Sequence, residues 1–385
     1  MGVHPMTGAG QGVEIIGVGL HPFGRWGDKT APEMGVDAVR AALGEAGFGP
    51  GERPFQAAFC GTAYGGVAAG HRVLGGLALT GTPIVDVEAG CASGGAALML
   101  ASAAIRAGQY ETVLVFGIEK MAKGMIRSSF FEPWREAAGL AATPAYFALR
   151  AQRLMRESGV TKQHLARIVV KNRRNGIDNP DAMFRKETSI DEVLGSRVVC
   201  EPLHLFMLCS PNEGAAAVVL RAGTSGVQLR AAELRSHLPG SVLGEATPMS
   251  GVDDSDLPAA TTLAAEAAYE TAGIGPDEID VVECQDTDAA RELLSYEELR
   301  LCPTGEAGAW AERGHTERGG PLPVNPSGGL LSKGEPLGAS ALGQVVELTR
   351  QLRGTAGPRQ VERARVALAH TVGRGANASI SLLTS

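Results

Sequence analysis

The chain has 385 residues, of which 44% are hydrophobic and 20% are charged, and its formal net charge is -7 at pH 7. This composition is typical of a folded protein with a large core and excludes a mostly disordered chain. No run of lysine and arginine stands out, so nucleic acid and anionic membrane surfaces are not expected partners. We find no signal-peptide pattern and no apolar run long enough to span a bilayer, which predicts a cytoplasmic protein.

The first part of the chain alternates strand-like and helix-like segments. Strands are predicted at 13–20, 57–61, 83–90 and 112–119, and helices at about 31–47 and 94–107. Gly47 and Gly108 are the expected helix C-caps. Buried strands that alternate with helices predict an α/β protein with a parallel, covered sheet.

Residues from about 122 to 200 differ in character, because about a fifth of the chain holds 14 of its 35 lysines and arginines and 4 of its 10 phenylalanines. We interpret them as a loop domain inserted before a strand at 214–222. The predicted domains are an amino-terminal half, 1–223, and a carboxy-terminal half, 224–385. No cysteine pair has the C-x-x-C spacing of a zinc site, and Cys200, His204 and Cys209 are interpreted as packing residues. No metal site is therefore predicted.

An internal repeat supports the division into halves. AALGEAGFGPGE at 41–52 resembles AAYETAGIGPDE at 267–278, which is 226 residues later, and a strand-like segment follows each copy. A period this long is not that of a solenoid and suggests that a whole α/β half was duplicated. The alternative is that two ordinary helix ends share an A-G-x-G-P turn.

Cys91 falls at a predicted junction of strand, sharp turn and helix, in the segment PIVDVEAGCASGGAALMLASAAIRAG. Such a turn lifts a nucleophile clear of a sheet, and small neighbours let a substrate approach. The positive end of the helix dipole favours a thiolate, and the backbone N–H groups of the first turn can stabilise an oxyanion. The alternative is a buried structural cysteine.

Ordered segments along nearly the whole chain resemble thiolases, particularly the sterol-carrier-protein-x type. They include GVGLHPFGR, the segment around Cys91, KNRRNGIDNPDAMFRKETSIDEVLGSRVVCEPL, ELLSYEELRLCPTGEAGAW, NPSGGLLSKGEPLGAS and ALAHTVGRGANASISLL. The resemblance implies two βαβαβαββ halves packed face to face in five layers, α-β-α-β-α, with an inserted loop domain and usually a dimer. It also implies acyl transfer from coenzyme A thioesters through the Cys91 thiolate, with no tightly bound cofactor.

The chain departs from the family at catalytic positions. Where the sterol-carrier type has His-Asp-Cys-Phe, this chain has Gln285, Asp286, Thr287 and Asp288. The family's histidine helps to bind the thioester oxygen, a role for which Gln285 still offers a donor. The family's cysteine moves the α-proton, and Thr287 is not a useful base near neutral pH.

The family's Gly-His-Pro motif reads Gly334, Glu335, Pro336 here. Transfer of a proton from a cysteine to a glutamate is uphill by roughly 6 kcal/mol at reference pKa values, against about 3 kcal/mol for a histidine. Glu335 is therefore a poor activator of Cys91 unless burial raises its own pKa.

Four further residues match family segments. His370 could orient or deprotonate Cys91 or bind the thioester oxygen; the alternative is a structural histidine. Asn325 matches an asparagine that holds a catalytic water. Gly373 and Gly375 match a loop whose backbone N–H groups approach the thioester.

Three hypotheses follow. The first is an acyltransferase of specialised metabolism or of lipid or steroid metabolism, in which Cys91 carries the acyl group and Glu335 is the base for an atypical acceptor. The second is an aldolase-type lyase that uses Glu335 with Asp286 or Asp288. The third is a non-catalytic subunit that binds acyl-CoA or scaffolds an accessory protein with an OB fold and a zinc ribbon. We favour the first, because an unconstrained scaffold need not retain the glycines around Cys91.

The inserted region offers candidate substrate contacts. Aromatic side chains could cover an acyl pocket, with ordinary packing as the alternative, and basic side chains could bind coenzyme A. The aromatic candidates are Phe130, Phe131, Trp134, Tyr146 and Phe147; the basic ones are Arg127, Arg150, Lys171, Arg173 and Arg174.

Overall fold

A computed structural model describes residues 11–124, 134, 137–138, 143–239, 257–373 and 377–385. Within these ranges no helix is both long enough and apolar enough to cross a membrane.

The amino-terminal half follows the predicted alternation. Its elements are β1 (Val13–Gly24), α1 (Ala31–Glu45), β2 (Ala57–Gly61), α2 (Ala69–Gly75), β3 (Ile84–Val87), α3 (Ser93–Arg106) and β4 (Thr112–Lys120). Thr30 starts α1 with a capping box, in which the Glu33 carboxylate accepts from the Thr30 N–H at 2.7 Å. Gly47 and Gly108 follow helices α1 and α3 with φ of 86° and 71°, as expected of glycines after helix ends.

The insertion between β4 and the last strand of this half is mainly helical. It contains α4 (Thr143–Ser158), α5 (Lys162–Ile177), α6 (Ile190–Gly195) and a short pair of strands, β5 (Val198–Cys200) and β6 (Leu203–His204). The chain then returns to the large sheet as β7 (Glu213–Ala222).

The carboxy-terminal half has the same general order of elements. It consists of β8 (Val227–Ser236), α7 (Ala260–Ala272), β9 (Val281–Cys284), α8 (Ala289–Glu298), α9 (Ala307–Glu312), α10 (Gly329–Lys333), α11 (Leu337–Leu352), β10 (Val366–Gly373) and β11 (Asn377–Thr384). Val324 lies between α9 and α10 and forms an isolated parallel bridge with Val282.

Apart from the pair β5 and β6, the described strands form one sheet in the order β3-β2-β4-β7-β1-β8-β11-β10-β9. Strands β1 and β8 join the two halves through Glu14 and Ile15. The sheet is mixed, because β7 runs antiparallel to both β1 and β4. The prediction of a parallel sheet was therefore wrong for this part. A hydrophobic run indicates that both faces are buried, but it does not show strand direction.

The helices form three layers around the two parts of the sheet. Helices α1 and α2 cover one outer face, α7 and α8 cover the other, and α3 and α11 lie between the halves. This is the predicted five-layered α-β-α-β-α arrangement. The repeated segments occupy matching places, since each ends an outer helix (α1 or α7) and precedes a parallel strand (β2 or β9).

Candidate active site

Cys91 lies where the sequence predicts it, in a tight turn between β3 and α3. A 3₁₀ turn spans Gly90–Ala92, and Gly90 has a φ of 60°, a conformation that favours glycine. The Ser93 hydroxyl donates to the Gly90 carbonyl at 2.6 Å and accepts from the Ala89 N–H at 2.9 Å. The turn therefore fixes Cys91 at the start of the helix, where its side chain is buried.

Glycine residues allow neighbouring segments to pack closely at this turn and beside it. A Cβ atom on Gly373 would lie 2.1 Å from the carbonyl oxygen of Ala89. A Cβ atom on Gly117 would lie 2.1 Å from the carbonyl oxygen of Gly338, in the first turn of α11. Gly373 thus packs directly on the Cys91 turn, whereas its predicted partner Gly375 lies outside the described residues.

The immediate surroundings of Cys91 are apolar. Met121, Leu337 and Ala63 pack around it. Close by, the buried Glu119 accepts hydrogen bonds from the N–H groups of Ala63 and Gly338, at 2.8 and 3.2 Å. The pKa of Glu119 is raised overall, because the effect of burial exceeds the opposing effect of these hydrogen bonds.

Gln285 and Glu335 form the polar part of the site. The Gln285 amide donates to Glu335 Oε1 at 2.9 Å, and its oxygen accepts a hydrogen bond from the N–H of Val372. Both side chains are almost fully buried, with exposed fractions of 1% for Gln285 and 2% for Glu335. The amide of Gln285 thus orients the carboxylate, so that these two predicted site residues act as one unit.

Cys209 belongs to the same group, and its interpretation as a packing residue was wrong. Its thiol donates to Glu335 Oε2 at 3.2 Å. The pKa of Cys209 is raised, first by burial, then by the charge of Glu335, with a smaller effect from Cys91. The sequence contains no spacing motif that identifies Cys209, because Cys209 and Glu335 are far apart in the chain and come together only in the folded protein.

Thr287 and Asp288 are occupied by contacts within the protein. The Thr287 hydroxyl donates to Asp288 Oδ2 at 3.4 Å. Asp288 caps α8 by accepting from the Arg291 N–H at 3.0 Å, and it forms an ion pair with Arg150. These contacts give both residues a structural role at the start of α8.

Asp286 anchors α10. Its carboxylate accepts from the N–H groups of Leu330 and Leu331 at 2.6 and 3.1 Å, and from the Asn172 amide at 2.8 Å. The pKa of Asp286 is raised well above its usual range, mainly by burial and next by the charge of Glu292. Three donors occupy this carboxylate, so it is poorly placed to serve as a base for a substrate.

Asn325 joins two segments beneath the site. It has a φ of 54°, its side-chain oxygen accepts from the Cys284 N–H at 2.9 Å, and its amide donates to Glu292 Oε2 at 2.8 Å. Lys171 forms an ion pair with the same glutamate. Both the oxygen and the amide nitrogen of the Asn325 side chain are therefore bonded within the protein, and the amide is not presented to a substrate or a water molecule.

His370 lies on the far side of the sheet from α3. Its Nε2 atom is 3.0 Å from the hydroxyl of Thr261 in the outer helix α7, whereas the next residue, Thr371, donates to Gln344 of the central helix α11 at 2.8 Å. Because successive side chains of a strand point to opposite faces, His370 points away from the layer that Cys91 enters. The structure thus separates His370 from the Cys91 group.

The basic residues of the insertion mostly have partners within the protein. Lys171 is buried against Glu292, and Arg150 pairs with Asp288, which removes both from coenzyme A binding. Arg173 stacks on Phe184, with 4.0 Å between the guanidinium carbon and the ring centroid. Arg174 forms an exposed ion pair with Glu317.

The remaining predictions for the insertion have separate outcomes. Trp134 is exposed, whereas Tyr146 and Phe147 are half-buried in α4. Arg127, Phe130 and Phe131 lie outside the described residues. Within the described ranges, no three or more histidine, cysteine, aspartate or glutamate side chains are arranged to hold a metal.

Two family models match the chain. Residues 13–223 match the thiolase amino-terminal domain, and residues 246–385 match the thiolase carboxy-terminal domain-like family.

Several known proteins are similar over almost the whole chain. Sterol carrier protein 2 of Bos taurus is 36% identical over 96% of this chain and 72% of its own length. The benzoylsuccinyl-CoA thiolase subunit BbsB of Thauera aromatica is 37% identical over 95% of this chain and 96% of its own length. The solved structure of the Ltp2-ChsH2(DUF35) aldolase has a TM-score of 0.84, with 22% identity over 97% of this chain and 98% of that one. This last likeness concerns the fold alone.

Proposed function

The chain belongs to the thiolase family, and we propose that it is an acyltransferase in which Cys91 accepts an acyl group from a coenzyme A or carrier-bound thioester. The observation that carries the proposal is the position of Cys91, at the start of α3 and beside a buried carboxylate group. Cys91 packs against Leu337, two residues after Glu335, and makes a small contribution to the raised pKa of Cys209, whose thiol donates a hydrogen bond to Glu335.

The first step is acylation of Cys91. The thiolate attacks the thioester carbonyl, and the carrier thiolate leaves and takes up a proton. Backbone N–H groups at the start of α3 stabilise the oxyanion. The apolar wall of Ala63, Met121 and Leu337 limits access of water to the acyl-enzyme.

The second step is transfer to an acceptor other than the enolate of an ordinary thiolase reaction. Glu335 supplies the base, because its carboxylate is linked to Cys91 through Cys209 and Leu337, whereas Glu119 accepts hydrogen bonds from the backbone N–H groups of Ala63 and Gly338. Gln285 supports this role by fixing Glu335 Oε1 at 2.9 Å. The lyase hypothesis is weaker, since Asp286 and Asp288 are both held in structural contacts.

The proposal includes an assembly. We propose a homodimer with an accessory protein that has an OB fold and a zinc ribbon. The family resemblance supports the dimer, and the two-component name of the Ltp2-ChsH2(DUF35) aldolase supports the accessory protein. Light scattering of the purified chain should give twice its sequence mass, and a monomer would contradict the dimer.

Intact-mass spectrometry tests the acyl-enzyme. The purified protein is incubated with a panel of acyl-CoAs beside the Cys91→Ala variant, and Cys302→Ala serves as a control because Cys302 is a buried cysteine of the carboxy-terminal half. We expect an added acyl mass on the wild type and on Cys302→Ala, but none on Cys91→Ala. A wild type that carries no adduct with any donor contradicts the proposal and leaves the lyase and scaffold hypotheses.

A further inference from the structure

Cys209 is held in place by backbone contacts on both sides of the site. Its N–H donates to the carbonyl of Thr287 at 2.9 Å. The carbonyl of the next residue, Ser210, accepts from the N–H of Glu335 at 2.9 Å. The segment that carries Cys209 is therefore hydrogen-bonded on one side to the segment 285–288 and on the other to the segment of Glu335. These bonds fix the Cys209 thiol relative to the Glu335 carboxylate.

The two oxygens of the Glu335 carboxylate have different donors. Gln285 donates to Oε1 at 2.9 Å, and the thiol of Cys209 donates to Oε2 at 3.2 Å. Glu335 is 2% exposed, whereas Cys209 is half-buried. The Cys209 thiol is therefore the more accessible of the two groups, and it covers Oε2 of the carboxylate.

Cys209 is protonated in this arrangement. Burial and the adjacent carboxylate of Glu335 raise its pKa, so that its S–H remains the donor in the hydrogen bond. A free thiolate next to Glu335 would suffer charge repulsion. A proton relay avoids this repulsion, because the Cys209 sulfur gains a proton from the acceptor as it passes its own proton to Glu335.

We propose that Cys209 relays the proton of the acceptor to Glu335 during transfer of the acyl group from Cys91. The inference rests on the proposed function, since it requires an acyl group on Cys91. It makes Cys209 a catalytic residue that contacts the acceptor, and it makes Glu335 the store for the proton.

Each bond and proton of the step is accounted for. The acceptor atom forms a bond to the acyl carbon, its proton moves to the Cys209 sulfur, and the proton of Cys209 moves to Glu335 Oε2. The bond between the acyl carbon and the Cys91 sulfur then breaks, which leaves a Cys91 thiolate. The stored proton returns through Cys209 to Cys91, so that the acyl-enzyme and the protonated acceptor yield the acylated acceptor and the free thiol.

The experiment compares two acceptors of the acyl group. Dephospho-coenzyme A is an aliphatic thiol that is mostly protonated at pH 7, whereas 2-nitro-5-thiobenzoate is an aromatic thiol that is already ionised. The donor is the acyl-CoA that gives the largest Cys91 adduct, and single-turnover loss of the adduct is followed by mass. Cys209→Ala and Cys209→Ser are compared with the wild type and with Cys302→Ala.

We expect Cys209→Ala to acquire the adduct more slowly, because acylation by a coenzyme A thioester is the reverse of transfer to a coenzyme A thiol. Once formed, the adduct should pass to dephospho-coenzyme A about 100-fold more slowly, the usual loss for a proton-transfer group. Transfer to 2-nitro-5-thiobenzoate should match the wild type, because that acceptor has no proton to lose. Cys209→Ser keeps a hydroxyl that can bond to Glu335, and it should show the same contrast with a smaller loss. Cys302→Ala should behave as the wild type with both acceptors.

The outcomes separate the two proposals. If the wild type forms no adduct, the acyltransferase function is wrong and the relay is wrong with it. If the adduct forms and Cys209→Ala slows both acceptors equally, Cys209 has only a structural role. Unchanged transfer to dephospho-coenzyme A in both Cys209 variants would also overturn the relay, while the acyltransferase function would stand.

Discussion

The two halves of the molecule contribute to one site in different ways. The amino-terminal half places Cys91 by means of glycine, alanine and serine, and the packing around that turn is mostly backbone against backbone. The carboxy-terminal half supplies buried polar and charged side chains, including Gln285, Asp286, Glu292 and Glu335. The amino-terminal half therefore supplies the nucleophile, and the carboxy-terminal half supplies most of the polar network, to which the amino-terminal half adds Lys171 and Cys209.

The two regions should therefore be destabilised by different kinds of substitution. A turn built from backbone contacts fails when a side chain is added, because no flexible atom can move away. A buried charge network fails when one charge is removed, because the remaining charge stays desolvated. Substitutions of each kind should therefore have characteristic effects on stability.

The largest expected loss of stability comes from the network. Lys171 and Glu292 are 3% and 0% exposed and form an ion pair, so Lys171→Met leaves a buried carboxylate without its cation. We expect the free energy of unfolding in urea to fall by about 3 to 5 kcal/mol. Arg174→Met in the same helix is the matched control. Its ion pair with Glu317 is exposed, so a loss of only about 0.5 kcal/mol is expected; equal losses for both variants would contradict the comparison.

A smaller loss is expected at the contact between β4 and α11. The added Cβ of Gly117→Ala would lie 2.1 Å from the Gly338 carbonyl oxygen, and we expect unfolding to become easier by about 3 kcal/mol. Gly44→Ala in α1 adds the same methyl group with no atom within 4 Å and should instead stabilise the protein by up to about 1 kcal/mol. A Gly117→Ala variant as stable as the wild type would contradict the close approach of Gly117 to the Gly338 carbonyl.

The smallest effect concerns the pH dependence of His370. Burial, and next the charge of Arg291, lower its pKa well below the ordinary value of 6.5, so the folded state resists protonation while the unfolded state accepts it. Stability is therefore lost as pH falls below 6.5. Between pH 8 and pH 5 the wild type should lose about 2 kcal/mol more than His370→Gln.

The same measurement on His71→Gln provides the control, because His71 is exposed in α2. That variant should follow the wild type at every pH. A His370→Gln variant that also follows the wild type would show that the folded state protonates His370 as readily as the unfolded state does.

The sequence predicts the fold better than the polar site. Local patterns around Cys91 and the repeat at 41–52 and 267–278 were sufficient for the turn, the two halves and helices α1 and α3, because these depend on nearby residues and periodicity. Strand direction was not predictable from hydrophobic runs, as β7 shows. Cys209 and Lys171 were misinterpreted because their partners, Glu335 and Glu292, lie more than 100 residues away in the chain.

His370 and Asn325 show a second limit. Both match family segments, but side-chain direction and local hydrogen bonds determine what each can contact. His370 faces α7, and Asn325 bonds to Glu292 and to the backbone of Cys284. A match in sequence identifies the position of such a residue, whereas its role depends on the neighbours that the fold provides.

The division of labour between the halves is tested most directly by single-turnover mass spectrometry on Glu335→Gln. This substitution keeps the shape of the side chain and removes its charge. If Cys91 takes the acyl group and Glu335 accepts the proton of the acceptor, the adduct should form on Glu335→Gln and persist about 100-fold longer with dephospho-coenzyme A than on the wild type. A Glu335→Gln variant with an intact fold that loses its adduct to dephospho-coenzyme A as fast as the wild type would contradict the account.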